Sequence, residues 1–319
     1  MSITKIIYPI VHGFFYLLSL LPFRVLYALS DALYLLVYHV VRYRRKVVRS
    51  NLASSFPQKG ESELREIERK FYHNLCDYFF ETLKMLSFSP EEMKKHAVYH
   101  NVEEMQKCFD EGQSIAFIMG HYFNWEWVTS ICLHLKHPEA VFGFVYHPLR
   151  NGVFDRLFID MRSHLGGTCV PKQDLLRHLI KSKKEGKVFF TGYVSDQAPK
   201  WSNIHLWTPF LGHDTPVFTG GERLMRKMND AVFYVHVKRT RRGHYIITPQ
   251  LITRTPGKLD ENAVTKKFFA LLEANIQEDP SNYLWSHDRW KRTHEEFDRR
   301  YKVVNGRVIA RSDSTDADS

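Results

Sequence analysis

Apolar residues dominate the first forty positions of the chain. Ile6 to Phe23 carries no charge, and its polar side chains are Tyr8, His12, Tyr16 and Ser19. Arg24 interrupts, and Val25 to Val41 is again apolar apart from Asp31. At 18 residues the first stretch is at the lower limit for a helix that crosses a bilayer. No small-residue cleavage site follows, so the segment reads as retained. Next come Arg42, Arg44, Arg45, Lys46 and Arg49 with no acid among them. That cluster predicts a body held on the cytoplasmic side, close to anionic headgroups. A buried hairpin of core helices and an interfacial helix pair remain as alternatives.

Beyond residue 45 the periodicity becomes that of a folded domain. Lys46 to Leu86 is helical in pattern, with Ile67, Phe71, Leu75, Tyr78, Phe79 and Leu83 as its apolar stripe. Ser89-Pro90-Glu91-Glu92 is a helix start signal. After Gly112, short β-rich runs alternate with helices. Strands are predicted at Ile115–Met119, Val141–Tyr146, Thr168–Pro171, Lys187–Val194, Ala231–Thr240 and Tyr245–Thr253. Helices are predicted at Trp125–Leu135, Val153–Leu165, Leu175–Lys184, Gly220–Met228 and Asp260–Ile276, with a hairpin turn at Arg241-Arg242-Gly243. This alternation predicts an α/β fold, a mostly parallel mixed sheet sandwiched by helices. The chain divides into an anchoring segment at 1–45, a domain at 46–310 and a polar tail at 311–319 that reads as disordered.

Composition narrows the partners. Of 319 residues, 44% are hydrophobic and 14% aromatic, enough for a sizeable core. A formal charge of +10 calls for an anionic partner such as nucleic acid, an acidic membrane or an acidic carrier protein. The charge is densest beside the apolar segment and no nucleic-acid motif accompanies it, which argues against nucleic acid. The four cysteines, Cys76, Cys108, Cys132 and Cys169, have no metal-ligand or disulfide-framework spacing.

Candidate chemistry begins with a histidine followed five residues later by a carboxylate. Given 17 His and 35 acids, about two such spacings arise by chance, and there are two: His121/Glu126 and His134/Glu139. His134 ends a helix that Pro138 stops, so that pair reads as a solvated helix terminus. His121 follows an apolar strand and Gly120, and precedes Asn124, a good N-cap for a helix from Trp125. Ligands of open α/β sheets bind beyond the carboxyl ends of the strands. A histidine there, held by Glu126, is suited to take a proton from a hydroxyl.

Gly120-His121-Tyr122-Phe123-Asn124-Trp125-Glu126 resembles the catalytic block of the lipid A biosynthesis late acyltransferases. These include lauroyl and myristoyl transferases and belong to the lysophospholipid and glycerol-phosphate acyltransferase superfamily. Arg49-Ser50-Asn51-Leu52 with Phe56-Pro57 is similar to the segment after that family's anchor. Tyr146-His147-Pro148 with Asn151 and Phe154-Asp155-Arg156-Leu157 is similar to its second block. Ser195-Asp196-Gln197, Pro209-Phe210-Leu211-Gly212 and Gly220-Gly221 resemble the third, and Tyr283-Leu284-Trp285-Ser286-His287 with Arg289-Trp290-Lys291 the last. The resemblance runs in the family's order to about residue 292.

It implies a glycerol-phosphate acyltransferase-like fold at the bacterial inner membrane, with the catalytic domain on the cytoplasmic side. An acyl chain would pass from acyl carrier protein to a hydroxyl of a lipid A precursor, with no metal or cofactor. His121 would be the general base and Glu126 its orienting acid. Asn124, Trp125, Tyr146, His147, Arg156, Asp196 and Gln197 would bind substrate. One departure stands out: the family's second block usually reads Tyr-Arg-Pro, and here the central residue is His147. Histidine lacks the permanent charge and forked donors of arginine. Either His147 does that work, or Arg150 or Arg156 takes it over, or the acceptor differs; Arg156 is the expected contributor. Transfer to another acceptor, such as an aminolipid or glycolipid, and a non-catalytic lipid-binding relative are the rival readings.

Overall fold

The computed structural model describes residues 3–137 and 139–311. The predicted tail therefore lies almost wholly outside the described residues, as does Pro138. Helices α1 (Ile3–Ser19) and α2 (Phe23–Tyr34) come first, and α2 runs on through a π-helical turn, Leu35–Val41. The helical stretch predicted at 46–86 is two helices, α3 (Arg45–Ser55) and α4 (Glu61–Lys84). Helix α5 (Pro90–His96) starts on a capping box in which Ser89 Oγ accepts the Glu92 N–H and the Glu92 carboxylate accepts the Ser89 N–H.

The alternating part then unfolds as β1 (Ala97–Tyr99), α6 (Glu103–Asp110), β2 (Ile115–Met119), β3 (Val141–Tyr146), α7 (Gly152–Ser163), β4 (Thr168–Pro171), α8 (Leu175–Lys184) and β5 (Phe189–Val194). A small hairpin, β6 (Leu206–Phe210) and β7 (His213–Val217), precedes α9 (Gly220–Met228), β8 (Ala231–Arg241) and β9 (His244–Thr253). Helix α10 (Ala263–Glu278), α11 (His294–Arg300) and the hairpin β10 (Tyr301–Val304) and β11 (Arg307–Ala310) complete the chain.

Seven strands form one sheet in the order β1-β9-β8-β2-β5-β3-β4. Every neighbouring pair is parallel except β8 with β9, joined by the predicted turn at Gly243. The α/β class and the mostly parallel mixed sheet are thus as the alternation predicts. β2 is buried at every position, as a central strand covered on both faces must be, so its run of five apolar residues does not alternate. Trp127, Phe117, Phe190 and Phe233 fill the core around it.

One expected helix changes form. Trp127–Leu133 is a run of 3-10 turns, not an α-helix from Trp125. Thr129 Oγ1 donates to the Glu126 carbonyl and Ser130 Oγ to that of Trp127, each three residues back. Such side chains compete with regular helix bonding, and Val128 and Ile131 add β-branched stiffness.

Phe23–Val41 is 19 residues long and the one described helical stretch long and apolar enough to cross a membrane; α1 is shorter. One side of α2 is nevertheless bound to the domain. Leu26, Ser30 and Tyr34 are buried, Ser30 donates to Asp77 on α4 at 2.7 Å, and Arg242 bridges Asp31 and Asp77. The other side shows Val25, Leu29, Leu36, Val40 and Val41 to the outside, beside Ile10, Phe14 and Leu17 of α1. The basic cluster is partly consumed inside the protein. Arg45 and Arg49 both pair with buried Glu68, at 3.0 and 2.8 Å, and Arg44 donates to the Ser286 carbonyl.

Asp230, just before β8, is a buried carboxylate with no hydrogen-bond partner on either oxygen among the described residues. Burial pushes it up to about 7, against a small opposing effect of Lys183. An unfolded chain releases this proton near pH 4, so stability falls as pH rises from there through about 7. Asp230→Asn is therefore expected to unfold at higher denaturant than the parent at pH 8 and at nearly the same denaturant at pH 4. Equal differences at both values would show that the charge is not the cause.

Candidate active site

The carboxyl ends of β2, β5 and β3 open into a cleft of about 390 Å³. Its floor is one face of the sheet: Met119, Val194, Gly192, Tyr146 and Phe144, spaced two apart along their strands. Phe158 and Arg162 of α7, with Thr129 and Trp125, cover it.

His121 reaches this cleft because β2 ends at Met119 and the chain turns at Gly120. A Cβ on Gly120 would lie 2.7 Å from a Leu272 methyl of α10, so a larger residue at the bend would have to push that side chain aside. The turn is held by the segment that follows α10. Tyr122 bridges to Tyr283, Leu284 N–H donates to the His121 carbonyl at 3.1 Å, and Phe123 N–H donates to that of Asn282 at 2.9 Å. Phe123 is left-handed, at φ 54°. Strain of this kind costs about 1–3 kcal/mol and persists where surrounding contacts enforce it.

The imidazole meets Asp196, not Glu126. His121 Nδ1 donates to Asp196 Oδ1 at 2.6 Å, and Gln197 Nε2 donates to His121 Nε2 at 3.2 Å. The proton thus sits on Nδ1, and Nε2 presents its lone pair toward the cleft. Burial alone would raise the Asp196 carboxyl, but His121 brings it below the ordinary carboxylate range, by its positive charge when it is protonated and by its hydrogen bond. His287 steadies the same loop. Burial lowers it to about 4, so its neutral Nε2 accepts the Ala198 N–H at 3.2 Å.

Glu126 is occupied otherwise. Arg162 donates Nε and Nη2 to its two oxygens, each at 2.6 Å, and Tyr78 adds its hydroxyl at 3.3 Å. Burial works to raise the carboxyl; Arg162 overrides it and holds it below the usual value. The carboxylate in contact with the imidazole is therefore Asp196, and Glu126 is bound to Arg162 instead. Glu126 stands just before the 3-10 turns, and its side chain reaches across to Arg162 of α7.

The remaining candidates divide. Trp125, Tyr146, His147 and Gln197 line the cleft with His121 and Glu126, and His147 is exposed at its mouth. Trp125 stacks on Tyr78 and puts its edge toward His121. Asn124 is buried beneath, accepting the Trp127 N–H and donating to Glu81 at 3.1 Å. It caps a turn and does not line the cleft. Arg156 also faces away, its guanidinium 4.4 Å above the Tyr8 ring of α1. Helical geometry gives the reason: Asp155, Phe158 and Arg162 share the cleft face of α7, whereas Arg156 and Asp160 share the face toward α1. Arg162, missed in the sequence, is the cation fixed in the cleft. The i, i+3, i+7 spacing from Asp155 was the signal that could have found it.

His134 does not form a second site. It is half-buried with its ring 4.5 Å from that of Tyr99. In the carboxyl-terminal block, Trp285 is fully buried and Arg289 donates to the Pro216 carbonyl, so both pack the domain.

The chain is similar to known proteins over most of its length. The chain is 24% identical to a lipid A biosynthesis lauroyltransferase of Escherichia coli (strain K12), over 91% of this chain and 92% of that one. It is 20% identical to a lipid A biosynthesis palmitoleoyltransferase of the same organism, over 88% and 89%. A lipid A biosynthesis acyltransferase of Haemophilus influenzae is 24% identical over 78% of each chain. The profile of the bacterial lipid A biosynthesis acyltransferases matches residues 2–292, and the chain belongs to that family.

Proposed function

We propose that this protein transfers a fatty acyl group from an acyl carrier protein thioester to a hydroxyl of a lipid A precursor. The observation that carries the reading is His121 in the cleft, with Asp196 on Nδ1 and only the Gln197 amide on Nε2. The acceptor hydroxyl displaces the Gln197 amide from Nε2 and gives its proton to that nitrogen as its oxygen attacks the thioester carbonyl. The tetrahedral intermediate then expels the thiolate, which takes the proton back from the imidazolium. Asp196 holds the tautomer and stabilises the imidazolium between those steps. No enzyme nucleophile takes part, because the lipid hydroxyl itself attacks. Arg162, fixed by Glu126, offers the acceptor a positive group in place of the arginine that His147 replaces, with Tyr146, His147 and Trp125 around it.

The glycerol-phosphate acyltransferase-like fold and a place at the bacterial inner membrane, with the domain on the cytoplasmic side, complete the proposal. The apolar outer faces of α1 and α2, on helices bound to the domain along their inner faces, support attachment at the interface.

The test incubates purified protein with labelled acyl carrier protein thioesters and a panel of lipid acceptors. Transfer to the lipid A precursor, lost in His121→Ala, is expected. Transfer only to an aminolipid or glycolipid would favour the rival acceptor. Transfer unaffected by His121→Ala would overturn the mechanism, and none at all would favour a lipid-binding relative.

A further inference from the structure

We infer that Phe144 is the stop that sets the length of the acyl chain this cleft accepts; the inference rests on the acyl-transfer reading above. Its basis is a slot of missing side chains around one ring. Phe144 projects from β3 onto the cleft face of the sheet and is almost fully buried. A Cβ on Gly192 of β5 would lie 2.7 Å from its Cδ1, and one on Gly167, just before β4, 2.4 Å from its Cε2. Both clashes are with the body of a rigid ring in a packed interior, where overfilling is destabilising. The two glycines therefore let the ring lie flat at the inner end of the cleft, braced against Phe190 with ring centroids 6.0 Å apart.

The strand register places this stop relative to the reacting groups. Phe144 pairs with Gly192, and Gly192 pairs with Phe117. The ring therefore lies two residues inward of Met119, where β2 ends, or roughly 7 Å at strand rise, with the Gly120 turn and His121 beyond. Met119, Val194 and Phe158 give the intervening walls an apolar lining, as an alkyl chain requires. Glu126 and Arg162 also line the cleft and bind each other across 2.6 Å, so neither charge is left unpaired beside the chain.

Removing the ring should lengthen the slot without touching His121 or Asp196. In Phe144→Ala the preferred thioester should move about two to four carbons longer. The kcat/KM ratio of the longer donor to the parent's best donor should rise at least about tenfold, since one methylene in a pocket is worth that order of discrimination. Phe144→Leu keeps most of the packing and should shift the same ratio in the same direction by a smaller factor. A ratio between donors is internal to each variant, so lost stability or a smaller active fraction cancels from it.

The experiment measures competition among saturated acyl carrier protein thioesters increasing in steps of two carbons, with parent and both variants. An active parent whose two variants keep its length profile would overturn the inference and leave the proposed function standing. If Phe144→Ala does not fold, an unchanged Phe144→Leu profile overturns it alone. A parent that transfers no acyl chain from any thioester would overturn both.

Discussion

Asp196→Asn is expected to lower turnover about a thousandfold or more, close to the loss from His121→Ala, while leaving the fold intact. The reason lies in the proton on Nδ1. Asp196 accepts it at 2.6 Å, which leaves Nε2 able to take the hydroxyl proton. An asparagine can turn its amide so that NH₂ faces Nδ1, which then becomes the acceptor. The proton moves to Nε2, and the base is lost. Steady-state kinetics should show the loss in kcat, with donor KM little changed. Glu126→Gln leaves the His121 contact untouched and should not reproduce a tautomer defect. If Glu126→Gln abolished turnover while Asp196→Asn kept it, the reading with Glu126 as the orienting acid would stand instead.

The second large effect concerns stability. Arg162→Met should destabilise the protein by about 3–5 kcal/mol, because it strands the Glu126 carboxylate in a buried site. Tyr78 remains as its donor, at the longer distance of 3.3 Å. The charge-free double substitution Arg162→Met with Glu126→Leu should recover most of that loss, since no ion is left unpaired. Denaturant unfolding of the two singles and the double gives the coupling directly. A double variant as unstable as the sum of the singles would mean that the pair is not the unit that the geometry describes. The double variant also separates fold from function: restored stability with impaired acceptor binding is the result expected if Arg162 meets the acceptor.

The same residues show where sequence reasoning stopped. His121 was legible because its context is local: strand, glycine, turn. Its carboxylate was not, because two carboxylates qualify. Glu126 is near in sequence and Asp196 is 75 residues away, and only the pairing of β2 with β5 brings Asp196 alongside. Arg156 was drawn in by its neighbours in a family block, yet a helix turns about 100° per residue and puts it on α1. Arg162 lies outside that block and on the correct face. Among the elements, the main strands were marked by runs of β-branched and aromatic residues. The β10–β11 hairpin was missed although Asn305-Gly306, both at positive φ, is a strong turn signal between its strands. Hairpin β6–β7 carries Pro209 and Pro216, which lower any strand expectation.

By itself the sequence determined the periodicities, and with them the α/β class, the apolar amino-terminal helices and a histidine placed beyond a buried strand. Those features depend on neighbours within a few residues, where hydrophobic spacing and turn chemistry act directly. Tertiary structure decided which acid meets the imidazole, which arginine enters the cleft and which ring closes it. Each is a contact between segments far apart in the chain, set by strand register and helix phase. A shift of one residue would send a strand side chain to the opposite face and turn a helical one by about 100°.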